Sequence, residues 1–432
     1  MNSFALDNLR VHGETAMAAM NLAQKRAFIP FLLFLVLPIS SFSTQPSVIS
    51  SSVASDATAY NSQRKVVSDS QGNIYVAYVS GEGDFNQVFV AESKDDGRTW
   101  KDIARVSLSS SEGSRVAMAI DSEDNLHVVW TQGLGESAQI FYSGYINKQW
   151  TSPLQISTGR GYSGYPSVAV DSRNSLHVVW YGFDGEFYQI FYVTNARGKW
   201  SPPQQISTGT PDSVNPSIVV DASDRIHVVW YKRITRNYQI FYRSFDGEWS
   251  DPRIISSGPT DSLNVALAVD SKGIVHVVWD KAVDGTSQVF YSKLENGLWT
   301  KQMKLSSGDS NAENPTITLD QTGNIFVFWQ TSDGGLYLRR FSENWTPQER
   351  LPLEGRHIFP STRWAFYNDP KSPNSLDLIW TDVTEASYAL MFSRIEFGSS
   401  RFSLSGLIIP SIVVGLLLVA LIVVTKRRKQ LA

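Results

Sequence analysis

The sequence predicts an all-β fold, a seven-bladed β-propeller with six blades as the alternative, followed by one C-terminal transmembrane helix. Two ladders of tryptophan and one apolar run carry that prediction. A phrase running from aspartate to tryptophan recurs as Asp121 to Trp130, Asp171 to Trp180, Asp221 to Trp230, Asp270 to Trp279 and Asp320 to Trp329. A degenerate first copy spans Asp69 to Tyr78, and a last copy ends at Trp380. The step is about 50 residues, the length of a four-stranded blade. A second ladder follows the first: Trp100, Trp150, Trp200, Trp249, Trp299 and Trp345. Of the 13 tryptophans only Trp364 belongs to neither ladder, so the repeat governs the chain rather than decorating it.

Each copy reads as four short strands. In the third, Pro166 to Asp171 is the innermost strand and Ser172 to Ser175 a turn. Leu176 to Tyr181 is the second strand, Gln189 to Val193 the third and Trp200 to Ile206 the fourth. Turn residues punctuate at short intervals and no helical periodicity intervenes. The strands are apolar on both faces, as blades sandwiched between neighbours require. Both tryptophan ladders are expected between blades, each indole satisfying its single donor locally. The seventh copy runs into the C-terminal region without a fourth strand. Pro46 to Ser51 resembles Pro153 to Thr158 and is expected to supply it, closing the ring and covering a sheet edge.

The 432 residues contain no cysteine, which excludes disulfide scaffolds, thiolate metal sites and cysteine nucleophiles. Lys25-Arg26, the apolar stretch 27–37 and the small polar residues after Pro38 read as a secretory signal region, 1–43, with cleavage near Ser43 or retention as an anchor. The propeller then occupies 44–397, a linker 398–406, a transmembrane helix 407–425 and a basic tail 426–432. The apolar run Leu407 to Val424 is long enough for a bilayer core, and Lys426, Arg427, Arg428 and Lys429 belong on the cytoplasmic side. The expected location is therefore the cell membrane, with the propeller outside and the C-terminus in the cytoplasm. Removing that cluster and the first 26 residues, which carry +4 and +1, takes the formal charge from −3 to about −8. No basic stripe remains, which argues against nucleic acid as a partner.

Ser93, Asp95, Gly97, Thr99 and Trp100 form the pattern Ser-x-Asp-x-Gly-x-Thr-Trp in the turn between third and fourth strands of the first blade. This resembles the Asp-box of the sialidase-like propellers, also called bacterial neuraminidase repeats, over roughly residues 46–397. The resemblance implies a structural turn in which the aspartate caps backbone donors, on the face away from any active site. It also implies three convergent arginines, a tyrosine–glutamate nucleophile pair and an aspartate acid/base in a true sialidase. The motif expected for the first arginine is missing at Gln63 to Val67, and Arg64, Arg115 and Arg363 differ in strand phase, so all three read as surface arginines. No catalytic residue is assigned.

His127, His177, His227 and His276 occupy one repeat position on different blades, too far apart to share a metal, and each is expected to bond inside its own blade. Gln139, Gln189 and Gln239 mark the third strands, and Asp121 to Asp124 reads as a β-turn. No metal or cofactor site is assembled. One position varies: six residues before each anchor aspartate stand Gln63, Arg115, Tyr165, Asn215, Asn264 and Asn314, with Phe359 the seventh. These precede the innermost strands and should ring the channel mouth, with Tyr162, Asp212, Asp261 and Glu313 on the adjoining loops. Such a mouth suits an extracellular glycan or protein ligand. The leading reading is a cell-surface recognition module. The alternatives are a sialidase-like glycoside hydrolase or lyase with a non-standard active site, and a structural envelope component.

Overall fold

In the computed structural model the described residues are 42–43, 46–159, 161–363, 375–385 and 387–397. They form seven antiparallel sheets of four or five strands, one per predicted blade. The innermost strands are Val66–Ser68, Gly113–Ile120, Ser163–Val170, Ser213–Val220, Ser262–Val269, Ala312–Leu319 and Arg356–Thr362. Apart from a 3-10 turn at Ala196–Gly198 no helix occurs among the described residues, and none there is long and apolar enough to cross a membrane. The apolar run 407–425, the basic tail, Trp364 and residues 1–41 lie outside the described residues.

Ring closure uses the N-terminal strand Ser47–Ser50, which pairs with Tyr388–Phe397 of the seventh blade through Ser47 to Phe392 and Val48 to Met391. Phe42 and Ser43, at the edge of the expected signal region, pair with Phe397 and Glu396 of the same strand.

Seven apolar clusters lie between successive blades, including one joining blade 7 to blade 1. The second-strand tryptophans Trp130, Trp180, Trp230, Trp279, Trp329 and Trp380 are fully buried in them, each against the preceding blade. The other ladder stitches the outer edge. Trp200, Trp249, Trp299 and Trp345 each meet a tyrosine of the preceding blade edge-on, with ring centroids 5.1–5.2 Å apart. The expectation that each indole bonds locally holds for Trp130, whose Nε1 donates to Gln132 at 2.8 Å. It fails for Trp230, Trp279, Trp329 and Trp380, whose Nε1 groups meet no acceptor among the described residues. The apolar walls that bury these rings offer no oxygen, so packing outweighs the lost bond.

The four histidines bond within their blades. His227 is held by Tyr242 at 2.8 Å and Asp221 at 3.1 Å, and His127 and His177 repeat both contacts. Each anchor aspartate also accepts backbone N–H bonds that close its turn, as Asp121 does from Glu123 and Asn125. In the Ser93 to Trp100 turn, Asp95 accepts from the Thr99 amide at 2.9 Å and its hydroxyl at 2.7 Å, which hold the carboxyl down to about 2. Gly97 has φ +80°, and a Cβ there would lie 2.0 Å from the Phe392 ring of blade 7. Only glycine fits that closure.

Candidate functional site

Each innermost strand of blades 2 to 7 begins with a β-bulge at the varied position. The ladder register slips there, between Gly164 and Ser167 in blade 3 and at the matching place in the other five. The bulged residue is left-handed in all six: Arg115 (φ 54°), Tyr165 (58°), Asn215 (50°), Asn264 (49°), Asn314 (52°) and Phe359 (55°). Asparagine tolerates that region, whereas arginine, tyrosine and phenylalanine are uncommon in it. Three bulges are fastened across the blade boundary to the residue after the preceding blade's tryptophan. Tyr165 N donates to Thr131 Oγ1 at 3.1 Å, Asn314 N to Asp280 Oδ2 at 2.9 Å and Phe359 N to Gln330 Oε1 at 2.5 Å. In these three the bulge amide ties one blade to the next.

Blade 1 departs from this. Residues 53–65, between the closing strand and blade 1, fill the axis. Asn61 Nδ2 donates to Asn264 O at 2.6 Å and to Pro315 O, in blades 5 and 6. The Ser62 carbonyl accepts from Ser167 and Ser217 of blades 3 and 4. Gln63 Nε2 reaches the carbonyls of Arg115 and Pro166 at 3.1 and 3.0 Å. Arg64 reaches Leu267 O, Ile317 O and Thr362 Oγ1 at 2.7–2.9 Å, in blades 5, 6 and 7. Lys65 Nζ donates to the carbonyls of Ala59, Tyr60 and Gln63, and burial pushes it down to about 7. Gln63 is therefore a fully buried part of this plug, not a mouth residue. The plug closes the axis beneath the bulged residues.

The mouth has two unlike halves. Over blades 2 to 4 it is aromatic. Arg115 sits over the rings of Tyr60 and Tyr165 at 4.9 and 5.0 Å, with NH1 3.2 Å from Asp56. Tyr60 meets Tyr165 edge-on at 4.5 Å, Tyr165 stacks on Tyr181 at 5.0 Å, and Tyr181 adjoins Tyr162 and Tyr188 at 5.8 and 5.4 Å. Burial raises the phenols of Tyr60 and Tyr181, so both stay neutral. Over blades 5 and 6 the mouth is amide and acid. Asn264 Nδ2 donates to Asp280 Oδ2 at 2.8 Å, and Asn215 Nδ2 donates to Tyr231 Oη on the side of blade 4. Asp280 is 4% exposed, and burial pushes its carboxyl up to about 7, with Glu313 adding to the rise.

The adjoining carboxylates do something else. Asp212 accepts the Tyr188 amide at 3.0 Å and Asp261 the Tyr238 amide at 2.7 Å, each capping a hairpin of the preceding blade. The expectation of surface arginines is overturned for two of three. Arg64 and Arg363 are buried, because the chain turns inward at 53–65 and the end of blade 7 faces the axis. Arg363 bonds Ser68 Oγ at 2.9 Å, and with Arg64 it lines a cavity of about 260 Å³ at the other end of the axis, walled by Met118, Ile120, Val168 and Val220. Arg115 lies at the tyrosine end, so the three do not converge.

The described region is thus a seven-bladed β-propeller. No known protein family matches the chain, and no curated protein sequence matches it. Among solved structures it is similar to an ulvan lyase described as representing a new family of polysaccharide lyase. The TM-score is 0.60 at 12% identity, covering 79% of this chain and 94% of that one. The same lyase bound to -[GlcA(1-4)Rha3S]- matches at 0.60 and 11% identity, with the same coverage. The polysaccharide lyase Uly1 matches at 0.54 and 10% identity, covering 79% and 91%. Such identities establish shared architecture and leave activity to the site. Sequence reasoning missed Tyr60, Tyr181, Tyr231 and Asp280. A signal existed for the last three, because the residue after each second-strand tryptophan varies while its neighbours repeat.

Proposed function

We propose that this propeller is a recognition module that captures glycan across the plugged mouth. The observation that carries the reading is the continuous aromatic surface of Tyr60, Tyr162, Tyr165, Tyr181 and Tyr188 around Arg115, beside a half rich in amides. Flat rings offer apolar area to sugar C–H faces at small entropic cost, and amides and phenols answer hydroxyls. Solved proteins of this architecture are named for polysaccharides, which makes glycan the ligand class to test first. The hydrogen-bonded turn at Ser93 to Trp100 supports kinship with sialidase-like propellers. The segments 1–43, 407–425 and 426–432 support export and anchoring by the C-terminal helix, with the propeller extracytoplasmic. Protease added to intact cells should digest the propeller and spare the tail; the reverse would sink that placement.

The test of the site is Tyr181→Ala with Tyr188→Ala, read by calorimetry against ulvan oligosaccharides and cellohexaose. Loss of two central aromatic contacts should weaken binding about tenfold or more, roughly 1.4 kcal/mol. Unchanged affinity would remove the aromatic surface as the site. A second reading, a glycoside hydrolase or lyase with a non-standard active site, is favoured by one observation: a buried carboxyl, Asp280, raised beside Glu313. Turnover of either oligosaccharide, abolished by Glu313→Gln, would replace the binding-only reading.

A further inference from the structure

Asp280 follows Trp279 on the second strand of blade 5, at the junction of the plug, blade 5 and blade 6. Both hydrogen bonds it receives fall on one oxygen: Asn264 Nδ2 at 2.8 Å and Asn314 N at 2.9 Å, each to Oδ2. Its other oxygen, Oδ1, accepts none from any described residue, and no cation pairs with the carboxyl among them. Two neutral donors on one oxygen describe the carbonyl side of a carboxylic acid. An ionised carboxylate this buried would need a counter-charge or more donors. The titratable groups facing it are Glu313, on the innermost strand of blade 6, and Tyr231, on the second strand of blade 4. Tyr231 is held neutral by burial; from the plug, Asn61 Nδ2 donates to the Asn264 carbonyl, and Arg64 is engaged by the Leu267 and Ile317 carbonyls further along the same strands. Lys281, next along the strand, turns away to the Ser257 carbonyl. The side-chain amide of Asn314, a half-buried residue at the mouth, bonds no described side chain or carbonyl.

We propose that Asp280 enters the glycan site as a neutral carboxylic acid, its Oδ1–H donating to a ligand hydroxyl or ring oxygen beside the Asn314 amide. This rests on the glycan reading above and adds to it a named donor and a direction of pH dependence. Burial pushes the carboxyl up to about 7, so the donor is present below neutrality and lost above it. Ionisation also places a negative charge against the ligand, which an anionic sugar tolerates least.

The experiment uses the full chain and Asp280→Asn. The asparagine carbonyl can replace Oδ2 toward Asn264 and Asn314, leaving its NH2 where the acid proton was, so a donor persists that cannot ionise. The first measurement needs no ligand. The infrared band of a protonated carboxylic acid should be present near pH 6, fade toward pH 8 and be missing from D280N. The second is affinity for an oligosaccharide of GlcA(1-4)Rha3S units and for cellohexaose. The parent should lose about tenfold in affinity between about pH 6 and about pH 8, because its competent fraction falls by that factor. D280N should give a flat profile. Absence of the band from the parent near pH 6, or a D280N profile that falls with the parent's, overturns the inference. A band that titrates as stated, with neither oligosaccharide bound at any pH, instead defeats the glycan reading and with it the ligand role of Asp280.

Discussion

In blade 3 the bulge holds Tyr165 and the place after the buried tryptophan holds Tyr181; in blade 5 the same two places hold Asn264 and Asp280. Both bulges are left-handed, at φ 58° and 49°, and both slip the register by the same step. The buried tryptophans Trp180 and Trp279 stack alike on a third-strand phenylalanine. One backbone therefore displays a stacked aromatic pair in one blade and a bonded amide–acid pair in the other. The frame is set by residues that repeat, and the chemistry by two positions that the frame leaves free. Variants of the frame should cost stability, and variants of the free positions should cost binding.

The largest effect that would sharpen this division is on ring closure. Deleting residues 46–51 removes the strand on blade 7 and the Ser47 hydroxyl that accepts from Trp100 Nε1 at 3.1 Å. It also unties the leader of the plug. A loss of about 4 kcal/mol or more is expected, with self-association through the bared edge. A deletion variant that melts with the parent and stays monomeric would show that the closing strand is not part of the frame. Next in size is Trp230→Ala. This ring is 1% exposed between blades 3 and 4, and its removal should cost about 3–5 kcal/mol by thermal melting. Glycan affinity of the fraction still folded should be unchanged. A selective loss of affinity at equal stability would break the separation of frame from mouth.

Much of the frame was legible because propellers write it seven times. The tryptophan ladders, the strand order within a blade and the kinship of Pro46 to Ser51 with a fourth strand all follow from a period and an apolar pattern. The plug was not legible. Residues 53–65 stand outside the repeat, and a run with Arg64 and Lys65 reads as solvated when charge alone is weighed. Arg64 is buried because its donors find carbonyl and hydroxyl oxygens of blades 5, 6 and 7, partners brought together only by closure. The mouth was half legible. Position pointed to Arg115, Tyr165, Asn215, Asn264 and Asn314 ahead of the innermost strands; they lie within the first residues of those strands, and neither their left-handed backbone nor their bonded partners could be read from the repeat. Asp212 and Asp261 are expected only on the adjoining loops, and there they cap hairpins.

The smallest effect is also the cleanest, and it separates frame from chemistry at one residue. Asn314 has φ 52°, and its side chain bonds no described residue, whereas Asn215 and Asn264 are tied to Tyr231 and Asp280. Replacing it removes the same amide whether alanine or glycine takes its place. Alanine must enter the left-handed region with a Cβ, at a cost of about 1 kcal/mol; glycine enters freely. Asn314→Ala should therefore melt below Asn314→Gly by that amount, although glycine also loosens the unfolded chain and narrows the gap somewhat. Both keep the backbone N–H that bonds Asp280, so the acid stays in place. If the amide touches ligand, the two variants should lose oligosaccharide affinity equally while differing in stability. Affinity that follows the melting temperature instead would mean that position 314 acts only through the bulge, and that blade 6 belongs wholly to the frame.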